Sequence, residues 1–566
     1  MEKRWLQKEI PSEDRIKELS QAVNTNPYLT AILLQRGIDT FDLAREFFRP
    51  SLTALHDPFL MKDMDKAIER LRYAIDNNQR ILIYGDYDVD GTTAVSLVYS
   101  YLMKFYAHCD VYLPDRYAEG YGVSLEGVLW AENNGCSLII ALDCGIKSSE
   151  LVHVAKLKGI DFIICDHHLP DDNIPGAVAV LDPKRKDCNY PYKELSGCGI
   201  GFKLIQAYAR KHRQEEETYD FLDLVAVSIA SDIVPITGEN RILAHFGLKK
   251  LNEDPMPGLK ALKDIALIRN DLDITGVVFT LGPRINAAGR VAHARAAVDL
   301  LIAKTDAEAF DLAEKVNLKN EVRKEFDTSI TEEAIAMIEG DALLRTSKST
   351  VLFKNTWHKG VIGIVAARCV ERYYRPTVIL TESNNKVTGS ARSVNGFDLY
   401  NAILECSDLL EKFGGHKYAA GLTLDIGNLE AFQRRFEEVV TASITEDMLT
   451  PVVDIDIPIV FDVITPKFMQ VLKQMAPFGP ENQRPVFEAK GLYVFNALSS
   501  FKDRHLKFLA GQDGSNTVFQ TIGFEMADHY SRLAQGDTFR MAFTIEENTF
   551  NGTTTIQLRM KDIKFD

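Results

Sequence analysis

Ile81-Leu82-Ile83-Tyr84-Gly85-Asp86-Tyr87-Asp88-Val89-Asp90-Gly91 joins an aliphatic run to three alternating carboxylates and a glycine. The aliphatic run predicts a buried strand, and the carboxylates then fall just past its C-terminal end. Two further runs end the same way. Leu138-Ile139-Ile140-Ala141-Leu142 precedes Asp143-Cys144-Gly145, and Phe162-Ile163-Ile164-Cys165 precedes Asp166-His167-His168. In a parallel sheet such ends lie along one edge, so residues distant in sequence converge there. Carboxylates with imidazole suit a hard divalent cation of the kind that activates water against phosphate.

Each string has a blander reading when taken alone. Asp86-x-Asp88-x-Asp90-Gly91 could be a turn with a helix N-cap. Asp143 could be a cap, and a His pair could be ordinary surface or core chemistry. The combination favours a metal site, because so many carboxylates at equivalent topological positions repel unless a cation lies between them. Arg116 follows another predicted strand end and could reach a phosphate with its planar fork. Gly197-Cys198-Gly199-Ile200-Gly201 leads into a helix but follows no clear strand and lacks a downstream acidic partner, so it is a weak dinucleotide fingerprint. It reads as a helix-packing or a phosphate-approach element.

At 566 residues the chain predicts three or four domains, at roughly 150 residues each. It is 46% hydrophobic and 26% charged, the balance of a folded soluble protein. No apolar stretch approaches the ~20 residues of a membrane span, and the N-terminus lacks a secretory h-region. The eight cysteines include no C-x-x-C pair, which argues against a zinc ribbon; a reducing cytoplasm is the expected compartment. The net charge of −15 argues mildly against a nucleic-acid binder. Metal-binding carboxylates add to that count, however, and only one groove need be positive.

The expected fold class is α/β and multi-domain: a wound, mostly parallel sheet, a second α/β domain, and a C-terminal OB-like β-barrel. Residues 1–75 read as a helical segment packed on the first α/β domain at 76–303. Residues 304–345 are poor in Gly and Pro and predict a connecting helix. The second α/β domain is expected at 346–450. The barrel is expected at 451–566, where short β-like runs alternate with turn residues. Phe501 and Phe508, near Lys502, Arg504 and Lys507, could stack on bases or fill the barrel core.

The strings Gly85–Gly91, Leu142–Gly145, Asp166–His168 and Ser231-Asp232-Ile233-Val234-Pro235 resemble, in that order, the DHH phosphoesterases. Their wording is similar to the branch of single-strand-specific 5′→3′ exonucleases. Agreement continues in Glu119–Gly122, Gly282–Arg290, Gly389–Ser393, Phe413–His416 and Pro477–Asn482, so the resemblance spans nearly the whole chain. It implies the DHH catalytic domain, a DHH-associated domain and an OB-fold that binds nucleic acid. It also implies two ions, Mn²⁺ or Mg²⁺, held by Asp86, Asp88, Asp143, His167 and Asp232. His168 would lie next to the scissile phosphate, with Asp90 and Asp166 as supporting groups. Arg116, Arg284, Arg290, His358, Ser390, Arg392 and His416 would contact DNA phosphates; for Arg290 and His358, helix capping is the competing role.

The implied activity is hydrolysis of single-stranded DNA to mononucleotides in repair and recombination. A helicase and a single-strand-binding protein are the partners implied by analogy, no membrane is involved, and a monomer is expected. The chain's end at the OB-like segment implies the shorter family layout. Two other readings compete. A phosphodiesterase for short oligonucleotides or cyclic dinucleotides would need no barrel platform, and a non-catalytic replication scaffold would not retain every acidic and histidine motif residue.

Overall fold

A computed structural model describes residues 2–550 and 552–565, which divide into two units. One contains Pro11–Asn320 with Pro466–Arg484; the other contains residues through Ile10, Glu321–Thr465 and the stretch from Pro485 onward. The first unit is built on five strands: β1 (Arg80–Gly85), β2 (Cys109–Tyr112), β3 (Cys136–Leu142), β4 (Asp161–Cys165) and β5 (Ala179–Leu181). All neighbours are parallel, in the order β2-β1-β3-β4-β5. Ile81, Ile83, Leu138, Ile140 and Ile163 face one apolar layer, which includes helices α1 (Val89–Leu102), α2 (Gly197–Lys211) and α3 (Leu222–Ser231). Leu82, Tyr84, Ile139, Phe162 and Ile164 face a second layer on the other side. Burial of both faces explains why these strands read as continuous aliphatic runs.

Strand order reverses at β1, with β2 on one side and β3 on the other, so the crevice past their C-terminal ends is the topological switch point. The register aligns Gly85, Leu142, Cys165 and Leu181 across four strands. The next residue in each strand is therefore Asp86, Asp143, Asp166 and Asp182. All four are at most 1% exposed. Asp143 N–H donates to the Cys165 carbonyl (2.8 Å) and Asp166 N–H to the Leu181 carbonyl (3.1 Å), which carries the ladder one residue into this row.

Helices Glu13–Val23, Pro27–Gln35, Phe41–Phe48 and Met64–Asp76 precede the sheet. The first residues differ from the helical expectation. Arg4–Gln7 is a strand paired in parallel with Val452–Ile455. Its indole anchor explains the difference: Trp5 Nε1–H donates to Asp562 (2.7 Å), and Arg540 and Lys564 lie 5.2 and 5.3 Å from its ring. Tertiary pairing overrides local propensity here.

The connecting helix runs over Asp306–Gly340. In the second unit β6 (Thr350–Phe353), β7 (Thr377–Ser383), β8 (Lys386–Arg392), β9 (Lys412–His416) and β10 (Ala419–Leu424) form a sheet ordered β9-β10-β8-β7-β6, parallel only between β6 and β7. The C-terminal strands are β11 (Ile457–Pro458), β12 (Phe487–Phe501), β13 (His505–Gln512), β14 (Phe519–Gly523), β15 (Phe539–Phe550) and β16 (Thr553–Phe565). They run β11-β12-β13-β14-β16-β15, and pairing of β12 with β15 closes a ring. Phe508 is 1% exposed and belongs to the barrel core, whereas Phe501 lies half-buried beside His505 and Phe524. Among the described residues no helix is long and apolar enough to cross a membrane.

Candidate metal centre and phosphate-binding residues

The centre grows from the aspartate row. α1 begins directly after β1, and Gly91 permits the tight turn: a Cβ there would lie 2.4 Å from the Asp86 carbonyl oxygen. Asp88 caps α1 by accepting from Gly91 N–H at 3.0 Å. Burial, then the charge of Asp90, pushes the Asp88 carboxyl upward. Asp86 is raised well above the carboxylate range by burial, then by Asp88.

Asp143 adopts φ 59°, a left-handed backbone that L side chains rarely take. The bend brings its side chain under α2, where a Cβ on Gly197 would lie 2.6 Å from the Asp143 Cβ. Gly197 thus permits the close approach of α2 to Asp143. His167 Nε2 lies 3.2 Å from Asp143 Oδ1, 3.5 Å from Asp232 Oδ2 and 3.8 Å from Asp90 Oδ2. Asp232 arrives from the C-terminal end of α3. Burial, then Asp90 and Asp88, raises Asp232 to about 8; burial, then Asp90 and Asp88, raises Asp143 well above its usual range. Burial pulls His167 down, against the attraction of Asp90, and so favours the neutral imidazole that can ligate a metal.

These atoms fit a divalent cation. Asp86 Oδ2, Asp143 Oδ1 and both His167 ring nitrogens are buried without a hydrogen-bond partner. Such groups are destabilising unless something pairs with them. Ligand atoms of Asp143, His167 and His168, and of Asp90, His167 and Asp232, lie within 4.8 Å of one another. Oxygen-rich donors with one or two imidazoles match Mn²⁺ or Mg²⁺ better than a soft metal.

The flanking groups are positioned rather than loose. Asp166 accepts from Ile146 N–H, His167 N–H and His168 N–H, and pairs with His168 Nδ1 at 2.7 Å. Burial opposes its ionisation, but these contacts, His168 first, hold it down at about 2. Burial likewise opposes charging of His168, and Asp166 outweighs it to hold the imidazole up at about 8. Tyr121, between the positive-φ Gly120 and Gly122, reaches His168 Nε2 at 3.1 Å, and Gly122 N–H points to Asp86 Oδ1 at 3.4 Å. Glu119 holds this loop by accepting from Asp115 N–H, Tyr112 and Ser124.

Tyr121 and Asp182 carry no role in the sequence reading. The glycines flanking Tyr121 and the strand-end position of Asp182 are the signals that could have found them. Burial raises Asp182 to about 7, and its Oδ2 has no hydrogen-bond partner.

Arg116 stacks on Tyr87 at 4.7 Å. Arg284 and Arg290 share the helix Gly282–Val291. This helix passes Ser231 at one end, where a Cβ on Gly282 would lie 3.0 Å from its Oγ, and Tyr87 at the other, where a Cβ on Gly289 would lie 2.8 Å from its carbonyl. Arg284 donates to Thr280 O (2.6 Å) and Asn317 Oδ1 (3.0 Å). Tyr117 donates to the Arg290 carbonyl.

The remaining candidates belong to the second unit. Register places His416, Ala419 and Arg392 in one row across β9, β10 and β8, with Ser390 two residues along the same face. Arg392 Nη1 donates to Ser390 Oγ at 3.1 Å. The helix Ile362–Tyr373 starts beside them, for a Cβ on Gly363 would lie 2.9 Å from Ser390 Oγ and 3.0 Å from Arg392 Nη2. His358 accepts from Gly360 N–H (3.1 Å) and stacks on Phe326 with ring centroids 4.9 Å apart.

Comparison with known proteins now adds to this geometry. The DHH family N-terminal domain matches residues 80–229, the DHHA1 domain 346–442 and the RecJ OB domain 455–562. The chain is 35% identical to the single-stranded-DNA-specific exonuclease RecJ of Bacillus subtilis (strain 168), over 98% of this chain and 70% of the relative. The chain belongs to the RecJ family. It is also 32% identical to RecJ of Escherichia coli (strain K12), over 95% of this chain and 96% of that one. RecJ of Thermus thermophilus, solved in complex with Mn²⁺, superposes with a TM-score of 0.85 at 25% identity, covering 99% of this chain and 79% of that one.

Proposed function

We propose that the chain is a metal-dependent exonuclease that hydrolyses single-stranded DNA from the 5′ end to mononucleotides. Membership of a family named for single-stranded-DNA-specific exonucleases supports the substrate class. The observation that carries the chemistry is the row of buried strand-end aspartates, in which Asp86 Oδ2 and Asp143 Oδ1 have no hydrogen-bond partner and Asp143 Oδ1 lies 3.2 Å from His167 Nε2. Asp86, Asp88, Asp143, His167 and Asp232 would hold two Mn²⁺ or Mg²⁺ ions. When bound, the ions lower the pKa of water and stabilise charge on the attacking and leaving oxygens.

The chain's own residues do the rest. His168, held protonated by Asp166 to about pH 8, lies at the mouth with Tyr121 and offers positive charge to a phosphate oxygen. Asp90 and Asp166 fix the loop and the histidine pair. Arg116, Arg284 and Arg290 supply cations on the first unit. In the second, Ser390, Arg392 and His416 with the start of the helix Ile362–Tyr373 form an anion-binding face of the kind helix N-termini favour. The barrel would hold the strand by electrostatics and stacking.

The setting would be DNA repair and recombination in the cytoplasm, with the chain acting as a monomer and receiving single strands from a helicase and a single-strand-binding protein. Turnover of a 5′-labelled single strand in Mn²⁺, with Asp143→Ala as control, tests the reading. Loss of cleavage with retained DNA binding is expected, and full activity in the variant would sink the metal assignment.

A further inference from the structure

Tyr121 is 54% exposed, yet the loop that carries it is pinned on both sides. Gly120 (φ 90°) and Gly122 (φ 84°) flank it in conformations that L side chains rarely adopt. Buried Tyr84, on β1, donates its hydroxyl to the Gly122 carbonyl at 3.0 Å and accepts from Ser124 N–H at 3.1 Å. Tyr84 lies two residues before Asp86, so the loop is tied to a strand that carries the aspartate row. Glu119 fixes the other end by accepting from Tyr112, Asp115 N–H and Ser124. A large side chain held out of the core by so many contacts is not explained by packing.

The side chain has a defined direction. Its hydroxyl lies 3.1 Å from His168 Nε2, and its ring stands edge-on to His168 and Tyr87, with centroids 5.9 and 6.0 Å away. Arg116 covers Tyr87 at 4.7 Å. Arg116, Tyr87, Tyr121 and His168 thus form one continuous wall beside Asp86, to which Gly122 N–H points at 3.4 Å. The other nitrogen of His168 is taken, because Nδ1 lies 2.7 Å from Asp166 Oδ1. A carboxylate only accepts, so Nδ1 carries a hydrogen and Nε2 is the nitrogen left to face Tyr121. A phenol hydroxyl offers one donor and also accepts. When it accepts from Nε2–H, its own hydrogen is free for a further acceptor.

We propose that the Tyr121 hydroxyl is a catalytic group that bridges His168 to a non-bridging oxygen of the scissile phosphate, donating its hydrogen to that oxygen. The inference rests on the nuclease reading above and adds a residue to its machinery. Charge in phosphoryl transfer spreads over the non-bridging oxygens. A donor fixed before the substrate arrives stabilises that charge without reorganising. Arg116 supplies a full cation at one end of the wall, and Tyr121 supplies a neutral donor on the His168 side.

The test is cleavage of single strands whose scissile linkage is an ordinary phosphate or either stereo-pure phosphorothioate, by the wild-type chain and by Tyr121→Phe. This variant keeps the ring and removes only the hydroxyl. It should cleave the ordinary strand about 10- to 100-fold more slowly, the scale of one hydrogen bond to a charged group, with Mn²⁺ affinity unchanged by calorimetry. Sulfur is a weak hydrogen-bond acceptor, so one diastereomer should slow the wild type. The same diastereomer should cost Tyr121→Phe markedly less, because both changes remove one contact. Equal sulfur effects in the two proteins for both diastereomers would overturn the contact. So would an undiminished rate in Tyr121→Phe, or a rate loss that saturating Mn²⁺ restores, which would make the tyrosine a support of the metal centre. Failure of the wild type to cleave the ordinary strand would instead remove the nuclease reading, and the contact with it.

Discussion

Asp90 lies 3.8 Å from His167 Nε2, yet its carboxylate is already bound elsewhere. Gly197 N–H donates to Oδ2 at 2.7 Å, while Cys198 N–H and the Ser228 hydroxyl donate to Oδ1, each also at 2.7 Å. The start of α2 thus binds a carboxylate of α1 as a helix N-terminus binds an anion. That contact locks the DxDxD loop against the element covering Asp143. These contacts support the positioning role proposed for Asp90, although its distance alone would admit it as a ligand.

Asp90→Ala would leave the Gly197 and Cys198 N–H groups unpaired in the interior, while the Ser228 hydroxyl keeps Ser196 Oγ as a partner. The expected destabilisation is about 1–3 kcal/mol for each unsatisfied donor, read by chemical denaturation. Asp90→Asn keeps the volume but places an amide against N–H donors, so it should recover only part of the loss.

Gly197→Ala should leave the fold intact by circular dichroism while weakening Mn²⁺ binding about 10- to 100-fold by calorimetry, the scale seen for supporting groups at metal sites. The cause is steric, since the new methyl would overlap the Asp143 side chain. Unchanged affinity would separate Asp143 from the centre.

Much of the centre was legible because aliphatic runs mark strands and the residue after each run marks the edge. Asp86, Asp143 and the Asp166–His168 string were found that way, and they do share one row. Strand order was not legible, since it depends on pairings such as Ile81 with Cys109 that no local pattern encodes. Asp182 follows the aliphatic run Ala177–Leu181 but was missed, because a lone carboxylate past a strand reads as a cap or turn residue. The strand at Arg4–Gln7 was missed because its partner lies more than 440 residues away at Val452–Ile455. The strained turn at Ile233 leaves no trace in composition, since a β-branched residue is the last choice for φ of 61°.

Metal-free stability should fall as pH rises. Asp232 titrates near 8 when folded, and Asp86 and Asp143 are raised well above 3.8. Between about pH 4 and 8 the native state therefore holds more protons than the unfolded chain, and unfolding free energy declines with pH. His168, raised to about 8, adds a contribution present below about 6.5 and lost through 8. Asp166, held at about 2, acts oppositely, losing its contribution only as pH falls through 2. Thermal melts from pH 5 to 9 in EDTA should show declining Tm, and saturating Mn²⁺ should reverse the trend. A metal-free Tm that climbs over this range would contradict the carboxylate centre.

Arg392→Ala should weaken single-strand binding and reduce the slope of log affinity against log salt by about 0.7, the increment for one phosphate contact on a single strand. Fluorescence anisotropy from low to moderate salt reads this directly. An unchanged slope would remove Arg392 from the phosphate-binding face.

Digestion of a long single strand labelled separately at each end, in Mn²⁺ and beside a duplex control, bears most directly on the central claim. Immediate release of the 5′ label as mononucleotide, with the duplex spared and no release by Asp143→Ala, is the predicted result. Release of the 3′ label first, or equal digestion by Asp143→Ala, would contradict it.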